Sequence, residues 1–216
     1  MSKKIGLFWL RDDFRISKNN GLIEATTNHD QVVVFFLYKK LAYKHQEAQK
    51  WWLSKSLVNF RKKLEKFNIN LEIIKTDSFK TFFEKLFKKN DFSLYWNKVY
   101  EPDYLRFDEY LEKNFRNKNI LYKICKGNTL NEIHEIKKND GTPFKVFTPF
   151  WRTAEKYYIE KIPPKEKIIR KCLKSKSYFK DSINPKEILP NENWFKNLEN
   201  LWLPNEENAL KELRNF

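Results

Sequence analysis

Short unbroken apolar runs alternate along this chain with stretches in which apolar positions recur every three to four residues. The runs Ile5–Leu10, Val32–Leu37, Leu71–Ile74, Leu94–Trp96 and Ile120–Lys123 read as strands buried on both faces. Between the second and third, Leu53, Leu57, Phe60, Leu64 and Phe67 share one face at helical spacing. Asp77 or Ser78 stands where a helix cap belongs, ahead of Phe79, Phe82, Phe83 and Leu86. After the fourth run, Tyr104, Phe107, Leu111 and Phe115 resume the helical period. Strands alternating with helices predict an α/β domain with a parallel sheet. Right-handed crossovers then place helices on both faces. The expectation is a Rossmann-like, doubly wound sheet of five parallel strands.

Beyond the fifth run the pattern changes. A helix is expected to begin near Thr148, and Pro163-Pro164 breaks it. Residues 165 to about 193 are rich in Lys and Ser and read as an extended, irregular connector. From Trp194 to Phe216 a helical period returns at Ala209, Leu213 and Phe216. The organisation predicted is an α/β domain over 1–130, an exit helix and connector over 131–193, and the start of a helical domain over 194–216. A single amphipathic helix buries too little to stand alone, so the last segment requires a partner surface.

Composition narrows the classes. No apolar run approaches the ~18 residues of a membrane span, and Met1-Ser2-Lys3-Lys4 runs into a strand without a signal-peptide core. A cytoplasmic protein without membrane contact is expected. Cys125 and Cys172 lie far apart with no C-x-x-C spacing, so free thiols are expected and a structural zinc site is not. The net charge of +15 favours approach to polyanions, but only eight of 43 basic residues are Arg. Base readers favour Arg for its bidentate fork, whereas scattered Lys is mostly solvated surface. Four glycines supply neither G-x-G-x-x-G nor a P-loop, which argues against a phosphate-cradled nucleotide. His29, His45 and His134 are scattered, and Glu206-Glu207 reads as a helix-start charge pair. No acid–base or nucleophilic constellation emerges.

The richest segment is Tyr95-Trp96-Asn97-Lys98-Val99-Tyr100-Glu101-Pro102, a buried strand running through a polar loop into a helix. In parallel α/β sheets ligands sit outside the carboxyl ends of strands, the place Asn97 and Glu101 occupy. The plainer alternative is a solvated βα loop with an acid at a helix N-terminus. Three further segments keep it company. Leu7-Phe8-Trp9-Leu10-Arg11-Asp12-Asp13-Phe14-Arg15-Ile16, with Asn19-Asn20-Gly21-Leu22, resembles the opening strand and turn of the DNA photolyase/cryptochrome family. Gln46-Glu47-Ala48-Gln49-Lys50-Trp51-Trp52-Leu53 is similar to that family's second helix, and Gly141-Thr142-Pro143-Phe144-Lys145-Val146-Phe147-Thr148-Pro149-Phe150-Trp151 to its exit from the first domain. The four motifs stand in family order over residues 4 to about 155.

The resemblance implies the family's N-terminal antenna domain, which in many members holds a light-absorbing chromophore that passes energy to FAD. In the family the FAD lies in a second, helical domain, where light splits pyrimidine dimers in a flipped-out substrate. Carried over by position, Glu101 would accept hydrogen bonds from a folate-type pterin or deazaflavin ring edge, with Asn97 at its rim. Arg11 and Asp13 would organise the pocket floor through a charge-assisted pair or bonds to loop backbone, and Tyr38 would stack on the ligand. Asp12 stands where the family usually has a basic or neutral polar residue, Lys18 where Asp is frequent, and Gln49 where deazaflavin-binding members often have Arg. The flavin- and lesion-binding half is expected outside these 216 residues, so no catalytic residue is assigned. The expected partners are the FAD-binding helical domain and, through it, damaged DNA; the chain is expected to be a monomer. Two other readings compete: a cryptochrome-type light-sensing module acting through a protein partner, and a generic nucleotide-binding module drawn to nucleic acid by its lysines.

Overall fold

The computed structural model describes residues 4–39, 42, 46–127, 129–132, 134–160 and 169–216. The apolar runs form β1 (Ile5–Leu10), β2 (Val32–Tyr38), β3 (Asn70–Lys75), β4 (Phe92–Asn97) and β5 (Tyr122–Cys125). Between them run α1 (Asn20–Asn28), α2 (Glu47–Glu65), α3 (Phe79–Leu86) and α4 (Pro102–Asn117). The sheet order is β5-β4-β1-β2-β3-β6, and the first five strands pair in parallel as expected. The sixth, β6 (Ser182–Ile183), pairs antiparallel with β3 and comes from the connector. The expected break at Pro163-Pro164, like His45, lies outside the described residues.

Strand alternation splits the core in two. Phe8, Leu10, Val34 and Phe36 face α1 and α2, where Leu22, Leu53, Leu57, Phe60 and Leu64 meet them. Leu7, Trp9, Val33 and Phe35 face α3 and α4, against Phe83, Leu86, Leu111 and Phe115. Both faces are apolar because both are covered. Ser78 caps α3, its hydroxyl accepting from Thr81 N.

The fifth strand begins two residues later than its apolar run. Asn119 takes a left-handed φ of 52° where α4 ends, and Ile120 N returns to the Phe115 carbonyl at 3.1 Å. Ile120 is therefore buried by a helix-ending turn, which hydrophobicity does not distinguish from a strand.

The connector is fastened to the α/β domain throughout its described part. Buried Glu72 on β3 accepts from Tyr178 N at 2.9 Å and Phe179 N at 2.7 Å. Cys172 N donates to Phe67 O, Leu173 N to Asp30 O, and Ser54 Oγ to Pro185 O. These bonds satisfy backbone groups that an irregular buried segment would otherwise strand. They lead into a 3-10 turn (Pro185–Ile188) and α6 (Lys196–Glu199), and then α7 (Glu206–Asn215). Upstream, α5 (Phe147–Glu160) starts one residue before the expected Thr148.

Candidate functional site

Strand order reverses between β1 and β4, and this switch point is where an α/β sheet opens for ligands. Here it is closed by Asn97. Its Oδ1 accepts from Gly21 N at 2.8 Å, and its Nδ2 donates to Asn19 Oδ1 at 2.9 Å and Asp13 Oδ2 at 3.3 Å. Asn19 in turn caps α1, accepting from Leu22 N. A Cβ at Gly21 would come within 2.6 Å of the Phe8 ring and 2.8 Å of Asn97 Oδ1, so only glycine fits. The void left among Phe8, Asp13, Asn97 and Gly127 is about 20 Å³, too small for a ring system. Asn97 thus fastens β4 to the β1–α1 loop rather than lining a pocket rim.

Arg11 and Asp13 do not pair with each other. Arg11 is buried and donates Nη1 to Asp108 Oδ2 at 3.2 Å, while its Nη2 bonds the other oxygen. Its Cζ lies 4.1 Å from the Trp9 ring centroid and 4.8 Å from that of Tyr104. A planar guanidinium suits both contacts, bidentate at its edge and cation–π at its face. Asp13 pairs with Arg15 Nε at 2.8 Å. Burial pushes the Asp13 carboxyl above its ordinary value, against the pull of Arg15.

A cleft of ligand size lies one strand over, above the ends of β1 and β2. Its apolar lining includes Trp9, Leu37, Phe79, Tyr104 and Phe107, and its polar lining includes Arg11, Asp12, Lys39, Lys80 and Asp103; its volume is about 420 Å³. That falls in the range of small-molecule sites, mostly apolar with a few polar groups. Trp9 packs edge-on against Phe79 (5.5 Å) and Phe107 (6.1 Å), so the walls hold one another in place. Lys39 Nζ sits 3.9 Å over the Phe79 ring. Partial burial, then the charge of Glu101, raises the Asp12 carboxyl, with Arg11 opposing.

Glu101 caps α4 by position only. It is exposed, makes no side-chain capping bond and does not line this cleft. Tyr38 ends β2 on the opposite face and lines a separate cleft of about 510 Å³ with Glu47, Lys50, Lys75 and Ile188. That second cleft is lined by the charged Glu47, Lys50, Lys75 and Glu187 and by connector residues such as Ile183 and Leu189, with Tyr38 as its one aromatic. Of the five residues singled out in sequence, the cleft over β1 and β2 therefore includes Arg11; Asn97 and Asp13 support the loop behind it. Tyr104, Phe107 and Phe79 were legible as positions in helical periods. The available signal was their place in the first turns of helices that follow strand ends.

Burial pushes the Cys125 thiol up to about 11, far from a nucleophile's range. No group of three metal-ligating side chains forms, and no helix is long and apolar enough to cross a membrane, among the described residues.

The chain is thus a doubly wound α/β domain with an aromatic cleft at its strand ends. Residues 6–167 match the family model described as DNA photolyase, and the chain belongs to that family. It is 27% identical over 214 residues to the deoxyribodipyrimidine photo-lyase of Agrobacterium fabrum, covering 97% of this chain and 44% of that protein. Cryptochrome-1 of Arabidopsis thaliana is 24% identical over 186 residues, covering 81% of this chain and 27% of that one. The crystal structure of a class III photolyase from Agrobacterium tumefaciens superposes with a TM-score of 0.83 at 26% identity, covering all of this chain and 45% of the other. The chain thus spans under half the length of these relatives.

Proposed function

We propose that this chain is the light-harvesting part of a photolyase that repairs pyrimidine dimers in DNA. The carrying observation is the 420 Å³ cleft walled by Trp9, Phe79, Tyr104 and Phe107 at the carboxyl ends of β1 and β2. A bound antenna chromophore supplies absorption of light and transfer of that energy to a flavin. The protein's task is then to seat a flat ring rigidly and keep water from it, with no acid or base required. The four aromatic side chains would hold a flat ring by their faces and edges. Asp12 and Asp103 would accept from ring N–H groups, and Lys39 and Lys80 would hold an anionic tail. Arg11, held by Asp108, keeps Trp9 and Tyr104 fixed.

On this reading the ligand is a folate-type pterin or a deazaflavin. Lesion binding and flavin chemistry belong, on this reading, to a helical FAD-binding partner domain, and contact with damaged DNA is made through it. The polypeptide acts in the cytoplasm as a monomer. Purification from a host that makes both folates and deazaflavins tests the reading. The absorbance spectrum should show a band beyond the aromatic ones, and the chain alone should repair no dimers in blue light. A flat spectrum after gentle preparation, or repair by the isolated chain, contradicts it. The cryptochrome-type reading shares the site and differs in the partner, so light-dependent capture of a protein with no effect on irradiated DNA would favour it.

A further inference from the structure

The outer side of α2 follows the C-terminal segment residue by residue. Trp51 stacks on Phe195 with centroids 6.5 Å apart, and Lys55 Nζ pairs with Glu199 at 2.5 Å. Asn59 Nδ2 donates to the Pro204 carbonyl at 3.2 Å, and Lys63 Nζ lies 3.6 Å from Glu206 and 3.3 Å from Glu207. Positions 51, 55, 59 and 63 are each a helical turn apart and so form one stripe. The track ends on Glu206, the first residue of α7. Its carboxylate reaches beyond α2 to the β1–α1 loop, accepting from Ile16 N at 2.9 Å, Ser17 N at 3.1 Å and the Ser17 hydroxyl. The next residue, Lys18, holds a left-handed φ of 51°, so the loop is bent where it is gripped.

We propose that Glu206 is a positioning residue that couples the seating of the C-terminal segment to the conformation of the β1–α1 loop. That loop carries Arg11 and Asp13 off the end of β1 and finishes in the Asn19 cap. An acid that merely favoured the start of α7 would interact with its own helix. Glu206 instead accepts from donors some 190 residues away in sequence. Burial acts to raise its carboxyl, yet the Ser17 and Ile16 donors and Lys63 outweigh it and hold the group below its ordinary value. Coupling of this kind is reciprocal: loosening the loop loosens the helix, and the reverse. The device works whatever occupies the cleft.

Amide hydrogen exchange on the full chain tests this from both ends. Glu206→Ala should speed exchange at Ile16 and Ser17 roughly tenfold, together with the first turn of α7. Glu206→Gln, which keeps one acceptor oxygen, should fall between. Ser17→Ala removes one exposed hydroxyl, leaves the fold intact, and should speed exchange in the first turn of α7 several-fold, on the order of one lost charge-assisted bond. If Glu206→Ala loosens α7 while Ile16 and Ser17 stay protected, or Ser17→Ala leaves α7 unchanged, the coupling does not exist. Should Glu206→Ala fail to fold, the Ser17 experiment decides alone.

Discussion

Replacing Asp108 with alanine is expected to lower folding stability by about 3–5 kcal/mol, the cost of leaving one member of a buried ion pair alone. Arg11 and Asp108 side chains are 3% and 6% exposed, so water cannot take over the lost acceptor. The loss is larger than for an ordinary surface pair, worth ~0–1 kcal/mol, because the guanidinium stays charged wherever it is placed. Asp108→Asn keeps one acceptor oxygen and should lose less. Urea denaturation reads both as a lower midpoint with little change in slope. A midpoint for Asp108→Ala equal to wild type would mean that the pair is solvated and that Arg11 is not held where the cleft needs it.

The second large effect is at Trp9. It is 1% exposed and touches Phe79, Phe83, Phe107 and the Arg11 guanidinium. Trp9→Ala should cost about 3–5 kcal/mol, since the surrounding rings cannot collapse into so large a hole. It should also abolish ring binding, because the cleft and the core share this side chain. Trp9→Phe keeps an aromatic surface, and should retain most of the stability while weakening binding. A Trp9→Ala protein that folds with native stability, measured by thermal unfolding, would show that the α3–α4 layer is not packed on β1 as described.

The strands were legible because parallel strands covered on both faces must be apolar throughout, as in Val32–Tyr38, and nothing in the sequence competes with that signal. Helix faces were legible for the same reason, from Leu53 to Leu64 on α2. Boundaries were less so: Ile120 is buried by a turn and Leu71 is preceded by a paired Asn70. The site was partly legible. The rule that ligands gather at carboxyl ends of strands pointed to the end of the sheet where the cleft over β1 and β2 opens, and the opening motif to Arg11, which lines it. The position along that end was not legible, because a sequence does not reveal that Asn97 fills the switch point with its own hydrogen bonds. Long-range polar partners leave no periodic trace either. Asp108 is 97 residues from Arg11 and sits within an amphipathic helix as one polar residue among many. Glu206 read as a helix-start acid, which it is, while its hold on Ile16 and Ser17 depends on how the connector routes the chain back over α2.

The connector carries a similar lesson. Its Lys- and Ser-rich composition suggested an extended, irregular connector, and its backbone is bonded to β3 and to the turns beneath the sheet through Glu72, Phe67 and Asp30. Composition reports solvent exposure of side chains, and most of these lysines are exposed. It is silent about where backbone groups find partners.

The most direct test of the cleft over β1 and β2 as a ring-binding slot is a fluorescence titration of the purified chain with a folate-type pterin and with a deazaflavin. Saturable quenching of tryptophan emission by one of them is expected in the wild type. Tyr104→Ala should weaken it roughly tenfold, the scale of ~1.4 kcal/mol for a lost ring contact, while Tyr38→Phe should leave it unchanged. Quenching by neither ligand, or binding that survives Tyr104→Ala and is lost on Tyr38→Phe, would contradict the assignment.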